Sequence, residues 1–234
     1  MPKLIADQAD GLRKLVGEAN LQVISILSGC NGTGKTIAAT NLACALARAG
    51  RLVKVVNSPT PEASTLEAAP RQGDRILADA TPDIILVDRP PGGLGDYPNI
   101  DRTEIVIVLQ PDSKSITSGY GLLKQLSGKY GIDRFYVLLN KSTSADGSAS
   151  IARNFADAAG RFLGVSVHYL GHIPCDAQLE KAARLKKSVV DAFPIAESAR
   201  QFRQMADKLV SLPRLSRLSE FHDDTLCGVM GAVC

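Results

Sequence analysis

From residue 22 onward, short apolar runs alternate with longer stretches whose apolar residues recur at helical spacing. The runs Val23–Leu27, Leu52–Val56, Ile84–Val87, Ile105–Leu109, Phe135–Leu139 and Val165–Leu170 are rich in β-branched residues and nearly continuous. A strand with one wetted face would alternate apolar and polar residues. Unbroken runs predict parallel strands covered on both faces. Helical stretches Lys35–Ala49, Ser115–Lys129 and Ser148–Phe162 lie between strands, and Ala177–Lys187 and Ala196–Leu212 follow the last one. This order predicts an α/β fold, a doubly wound, mostly parallel sheet flanked by helices.

Three regions follow from the pattern. Residues 20–212 carry the alternation and form the expected domain. Residues 1–17 lie ahead of it, with Leu4, Ile5, Gln8, Leu12, Leu15 and Val16 near helical spacing and Gly17 as a stop. They predict a short amphipathic helix, which periodicity alone reads as a packed arm. Residues 213–234 form a tail after the helix-breaking Pro213. The piece Arg214–Phe221 has two arginines, which favours a surface helix over a membrane-bound one. Between Asn57 and Asp88, the stretches Glu62–Ala69 and Arg71–Ala80 suggest short helices. The interval has room for one helical crossover and not for an extra strand pair.

The first strand runs into Ser28-Gly29-Cys30-Asn31-Gly32-Thr33-Gly34-Lys35-Thr36 and then a helix. Gly-x4-Gly-Lys-Thr in that setting is a phosphate-binding loop. Glycines let the backbone approach an anion closely, and successive N–H groups wrap a phosphate at a helix N-terminus. Gly29, Cys30, Asn31, Gly32, Thr33 and Gly34 form the cradle. Lys35 reaches the β/γ-phosphates, and the Thr36 hydroxyl is suited to Mg²⁺.

Two further strand ends carry chemistry. Ile84-Ile85-Leu86-Val87 ends in Asp88, on the edge where the loop opens. A carboxylate there suits Mg²⁺ and sensing of a γ-phosphate. Asn140 follows Leu138-Leu139, and its amide is able to pair with a purine edge. A simple turn residue is the plainer reading. Pro174 lies at another strand end, bordering the base in the same reading.

Composition narrows the partners. Trp is absent and aromatics are 5% of residues, which disfavours stacking platforms for single-stranded nucleic acid. The net charge of +3 is too mild to argue for nucleic acid or an anionic membrane. Five cysteines without C-x-x-C spacing, no signal-peptide pattern and no apolar run of membrane-spanning length predict a reducing, cytoplasmic setting.

The loop, Ile85-Leu86-Val87-Asp88-Arg89-Pro90-Pro91-Gly92, Pro111-Asp112-Ser113 with Ser115–Tyr120, and the Leu139-Asn140 strand end together resemble the MinD/ParA division of P-loop ATPases. Asp7-Gln8-Ala9-Asp10-Gly11-Leu12-Arg13, with Arg161–Gly164 and Tyr169–Asp176, is similar to the FlhG (FleN) branch, regulators of flagellar number and placement. The resemblance covers about residues 5–210, with one large gap. It implies ATP or ADP with Mg²⁺ as ligands, and ATP-promoted dimerisation and membrane association. It also implies stimulation of an FlhF-like GTPase of the SRP type. By the same resemblance Asp7, Gln8, Leu12 and Arg13 contact that partner, Lys35 and Thr36 hold phosphate and Mg²⁺, Asp88 is the switch aspartate and Asn140 contacts adenine.

Three departures fall on hydrolysis and dimerisation. Cys30 stands where the family has a lysine that crosses to the partner's phosphates, and a thiol cannot supply that charge. Asn57-Ser58-Pro59 replaces a strand end that carries two aspartates, and the segment after it is shortened. Arg89 follows Asp88 where a small polar residue is usual. The expectation is a nucleotide-binding regulator with weak or absent hydrolysis and at most a weak homodimer, peripheral to the inner membrane face. The alternatives are an active ATPase cycling on membrane or partitioning cargo, and an interaction scaffold with an empty loop.

Overall fold

The computed structural model describes residues 21–57, 66–67, 82–89, 100 and 103–212. The N-terminal arm with Asp7, Gln8, Leu12 and Arg13, the helix suggested over Arg71–Ala80, the Pro90-Pro91-Gly92 stretch and the tail from Pro213 lie outside the described residues.

The elements run β1 (Gln22–Leu27), α1 (Lys35–Arg48), β2 (Val53–Asn57), β3 (Leu66–Glu67), β4 (Ile84–Asp88), β5 (Glu104–Leu109), α2 (Ser113–Tyr130), β6 (Arg134–Ser142), α3 (Ala145–Leu163), β7 (Ser166–Pro174), α4 (Ala177–Arg184), α5 (Val189–Ala192) and α6 (Glu197–Val210). The strands form one sheet in the order β3-β2-β4-β1-β5-β6-β7. All neighbours are parallel except β3, which pairs antiparallel with Lys54 and Val55 at the edge. The expected helix over Glu62–Ala69 is therefore replaced at its centre by strand. Leu66 and Glu67 cover ladder groups that β2, as an edge, would leave unpaired.

Alternation within each strand divides the core. Ile24, Ile26, Val106, Val108 and Leu138 pack with Leu42 and Leu46 of α1 and Phe202, Met205 and Leu209 of α6. Leu27, Ile105, Ile107, Leu109, Phe135, Val137 and Leu139 pack with Leu123 of α2 and Phe155 of α3. Both faces are buried, which explains the unbroken apolar runs. β1 lies between β4 and β5, with the helix after it on one face and the helix after β5 on the other. That reversal leaves a crevice at the carboxyl ends of the strands, where α/β sheets take ligands.

Helix ends follow local chemistry. Asp112 caps α2 by accepting from the Ser115 N–H at 2.8 Å, and Gly131 and Gly164 end α2 and α3 with φ near 67°. The stretch predicted as one helix over Ala177–Lys187 stops at Arg184. Ser188 then starts a separate turn, its hydroxyl accepting from the Val190 N–H. Among the described residues, no helix is long and apolar enough to cross a membrane.

Candidate functional site

The loop between β1 and α1 opens at that crevice. Gly34 is the residue before α1 and has φ 82°, and Gly32 has φ 81°. Both lie in the left-handed region, where a side chain is strained. Ser28 donates to the Cys30 carbonyl at 3.0 Å, closing the first turn. A Cβ on Gly29 would stand 2.2 Å from the Ser118 backbone, so the loop's first limb rests directly on α2. Asn31 and Gly32 form the exposed tip, Cys30 is partly exposed, and Thr33 is buried beneath them.

Asp88 collects the loop's two chemical side chains. Lys35 Nζ pairs with Asp88 Oδ1, and Thr36 Oγ1 donates to Asp88 Oδ2 at 2.7 Å. Lys35 and Asp88 are each more than nine-tenths buried. A charge so enclosed needs a partner of opposite sign, and each supplies the other's. Asp88 is brought there by register: β4 pairs with β1 so that Asp88 lies beside Ile26, just before the loop. On its other side Asp88 lies beside Asn57 of β2.

Asn140 lies against the loop from the end of β6. Its Nδ2 donates to the Thr33 carbonyl at 2.6 Å, and its Oδ1 accepts from the Lys141 N–H at 2.8 Å. Gln110, just past β5, donates Nε2 to the Gly32 carbonyl at 2.7 Å, with Lys141 Nζ 3.5 Å from the same oxygen. Gln110 is the site residue that sequence reasoning missed. The signal was present: like Asp88 and Asn140, it is the first polar residue after a strand's apolar run. Pro174 ends β7 and neighbours Ser142 in register. Beside it, burial lowers the pKa of His172; the Glu197 carboxylate opposes that shift and Lys208 adds to it.

Arg89 is buried behind the site, with Nε donating to Ser25 Oγ at 3.2 Å. Thr103 Oγ1 donates to the same hydroxyl at 3.1 Å. Arg89 thus faces the sheet interior and the start of β5.

The donor set fits a phosphate with a hard cation. The loop offers backbone N–H groups leading into a helix N-terminus, one lysine, and the hydroxyl and carboxylate oxygens that Mg²⁺ prefers. Among the described residues, no group of three or more His, Cys, Asp or Glu side chains is placed to hold a metal by itself. A cavity of about 580 Å³ bounded by Arg134, Tyr136, His168 and Lys208 opens at the amino ends of β6 and β7, remote from the loop. Its cations are engaged, Lys208 with the Leu170 carbonyl and Arg134 with Glu104.

Residues 24–189 match the CobQ/CobB/MinD/ParA nucleotide binding domain. The chain is 27% identical to the antiactivator FleN of Pseudomonas aeruginosa, over 82% of this chain and 88% of FleN. Its fold is similar to a chain of the MinC:MinD cell division protein complex of Aquifex aeolicus, with TM-score 0.58 and 19% identity over 82% of this chain and 97% of that one. It is also similar to the septum site-determining protein MinD with Mg-ADP from Pyrococcus horikoshii, with TM-score 0.55 and 20% identity over 82% of this chain and 96% of that one.

Proposed function

The chain belongs to the CobQ/CobB/MinD/ParA nucleotide-binding domain family, and from that membership we propose that it is an FlhG-type nucleotide-binding regulator of flagellar number or placement. The observation that carries the reading is the meeting of Lys35 and Thr36 on Asp88 at the mouth of the loop. Similarity to FleN supports the regulatory role.

The ligands are ATP or ADP with Mg²⁺. The N–H groups of Gly29, Cys30, Asn31, Gly32, Thr33 and Gly34 face the phosphates, Lys35 neutralises them, and Pro174 borders the base. Thr36 and Asp88 hold the metal, which when bound offsets phosphate charge. Hydrolysis is weak or absent. Cys30 brings no cation to a neighbouring active site, and Asn57 brings no carboxylate to orient water. ATP-driven homodimerisation is correspondingly weak. Asp7, Gln8, Leu12 and Arg13 present the contact for an FlhF-like GTPase of the SRP type. The protein works in the cytoplasm, with peripheral contact at the inner membrane face, and does not bind nucleic acid directly.

An intact Lys35–Thr36–Asp88 set also favours a second reading, an active ATPase cycling on membrane or cargo. One titration separates the readings. Fluorescent ATP and ADP are titrated with and without Mg²⁺ against wild type and Lys35→Ala, with turnover followed in parallel. The regulator binds nucleotide, loses at least about tenfold in affinity with Lys35→Ala, and turns over far below ordinary P-loop ATPases. Robust multiple turnover selects the active ATPase, and no binding at all leaves a scaffold. Deleting residues 1–17 abolishes stimulation of an FlhF-like GTPase; undiminished stimulation refutes the partner contact.

A further inference from the structure

We propose that Asn140 and Gln110 are positioning residues that aim the loop's N–H groups at phosphate. The inference rests on the nucleotide-binding reading.

A trans peptide points its C=O and the following N–H in opposite directions. Holding the Gly32 carbonyl outward turns the Thr33 N–H inward, and holding the Thr33 carbonyl outward does the same for the Gly34 N–H. Gln110 holds the first carbonyl at 2.7 Å and Asn140 holds the second at 2.6 Å. Lys141 adds a longer contact to the Gly32 oxygen at 3.5 Å. The two anchors come from the ends of adjacent strands, β5 and β6, so a rigid sheet sets the loop's shape before any ligand arrives. Such preorganisation removes an ordering cost from binding.

The orientation of the Asn140 amide is fixed by its neighbours. The Lys141 N–H can only donate, so the atom facing it at 2.8 Å is Oδ1, and the amino group faces Thr33. Each end of the amide is thus tied to the backbone, with one amino hydrogen and one Oδ1 lone pair left over. Two backbone features support the contact. Gly34 has no side chain where a Cβ would stand 2.2 Å from Asn140 Nδ2, which leaves room for the amide beside the loop backbone. Lys141 has φ 55°, a left-handed conformation that brings its N–H back onto Asn140 Oδ1.

Calorimetry with a probe that has no base distinguishes the roles. Inorganic tripolyphosphate and ATP, each with Mg²⁺, are titrated into full-length wild type, Asn140→Ala, Gln110→Glu and Gln110→Lys, with thermal melting as a check on folding. Asn140→Ala and Gln110→Glu are each expected to weaken both probes by the same factor, about fivefold to tenfold. Gln110→Lys, which keeps a donor, recovers affinity relative to Gln110→Glu. Gln110 is partly exposed, so its variants carry the test if Asn140→Ala fails to fold. Weakening of ATP with tripolyphosphate unchanged in Asn140→Ala assigns Asn140 to the base and overturns the inference. Wild-type affinity for both probes in the variants overturns it too. Wild type that binds neither probe overturns the nucleotide reading, and this inference with it.

Discussion

Gly34→Ala tests the packing of the loop against its clamp, because Gly32 supplies an internal control. Both glycines have nearly the same positive φ, 82° and 81°. A side chain in that region costs about 1–2 kcal/mol at either position. The positions differ in what a Cβ would meet. At Gly32 nothing lies within 4 Å, whereas at Gly34 the Asn140 amide nitrogen is 2.2 Å away. Asn140 is buried, so pushing its amide off the Thr33 carbonyl strands a donor without water, at about 1–3 kcal/mol more. Gly32→Ala should therefore lower stability by about 1–2 kcal/mol and Gly34→Ala by about 2–5 kcal/mol. Urea unfolding at neutral pH without ligand reads the difference directly, provided both variants keep the wild-type slope. Equal losses at the two positions would refute the contact between Asn140 and the loop. So would recovery of Gly34→Ala to less than the Gly32→Ala loss.

Two further expectations concern charge. Burial raises the pKa of Glu104 above 4.5, against the lowering effect of Arg134, and its Oε1 has no hydrogen-bond partner. The folded state thus holds the proton more tightly than the unfolded one. This stability is present below pH 4.5 and is lost as pH rises through the elevated value. Glu104→Gln should raise the urea midpoint at pH 8 and leave it unchanged near pH 4; a lowered midpoint at pH 8 would show that the pair with Arg134 outweighs burial. Asp176 behaves oppositely. Burial alone would raise its pKa, but hydrogen bonds from the Ser198 hydroxyl and the N–H groups of Gln178, Ser198 and Leu179 outweigh burial and hold it below 3.8. Its contribution is present above 3.8 and is lost as pH falls through the depressed value. Asp176→Asn should destabilise by about 1–3 kcal/mol at neutral pH, fading in acid, because it weakens the tie between the starts of α4 and α6; urea midpoints at pH 7 and pH 3 that fall equally would count against it.

The sheet was legible because burial on both faces leaves a signal independent of partners. Val106 and Ile107 point to opposite helix layers, yet both must be apolar. The edge was not legible. Leu66-Glu67 gains its conformation from pairing with β2, and two residues carry no period of their own. The single helix expected over Ala177–Lys187 fails for a similar reason. Composition there is helical throughout, but Lys186 takes φ 53°, and the Asn41 side chain of α1 receives the Ser188 hydroxyl and the Val189 N–H. A tertiary contact ends one helix and starts the next. At the candidate site, the meeting of Lys35 and Thr36 with Asp88 was legible, because a loop after β1 and the last residue of the neighbouring strand β4 fall on one sheet edge. The clamp was only half legible. A glutamine after a strand is common, and its meaning depends on the register that sets β5 and β6 beside the loop.

The buried pair of Lys35 and Asp88 imposes a condition on any ligand. In the state described here, Asp88 satisfies both side chains that phosphate and metal would claim. A phosphate drawing Lys35 away leaves the Asp88 carboxylate buried beside new negative charge. A cation drawing Asp88 away leaves the Lys35 ammonium buried beside new positive charge. Either alone incurs the penalty of an uncompensated interior ion. Together they exchange one neutral arrangement for another, with Lys35 facing phosphate and Asp88 facing metal. Binding of the two is therefore coupled, and by linkage each strengthens the other equally. The coupling does not require hydrolysis, because it arises from charge balance within one protomer. It gives a reason for Lys35, Thr36 and Asp88 to stand together whether or not the chain hydrolyses nucleotide. Nucleotide affinity that is indifferent to Mg²⁺ in the titration would show that this pair does not open as a unit.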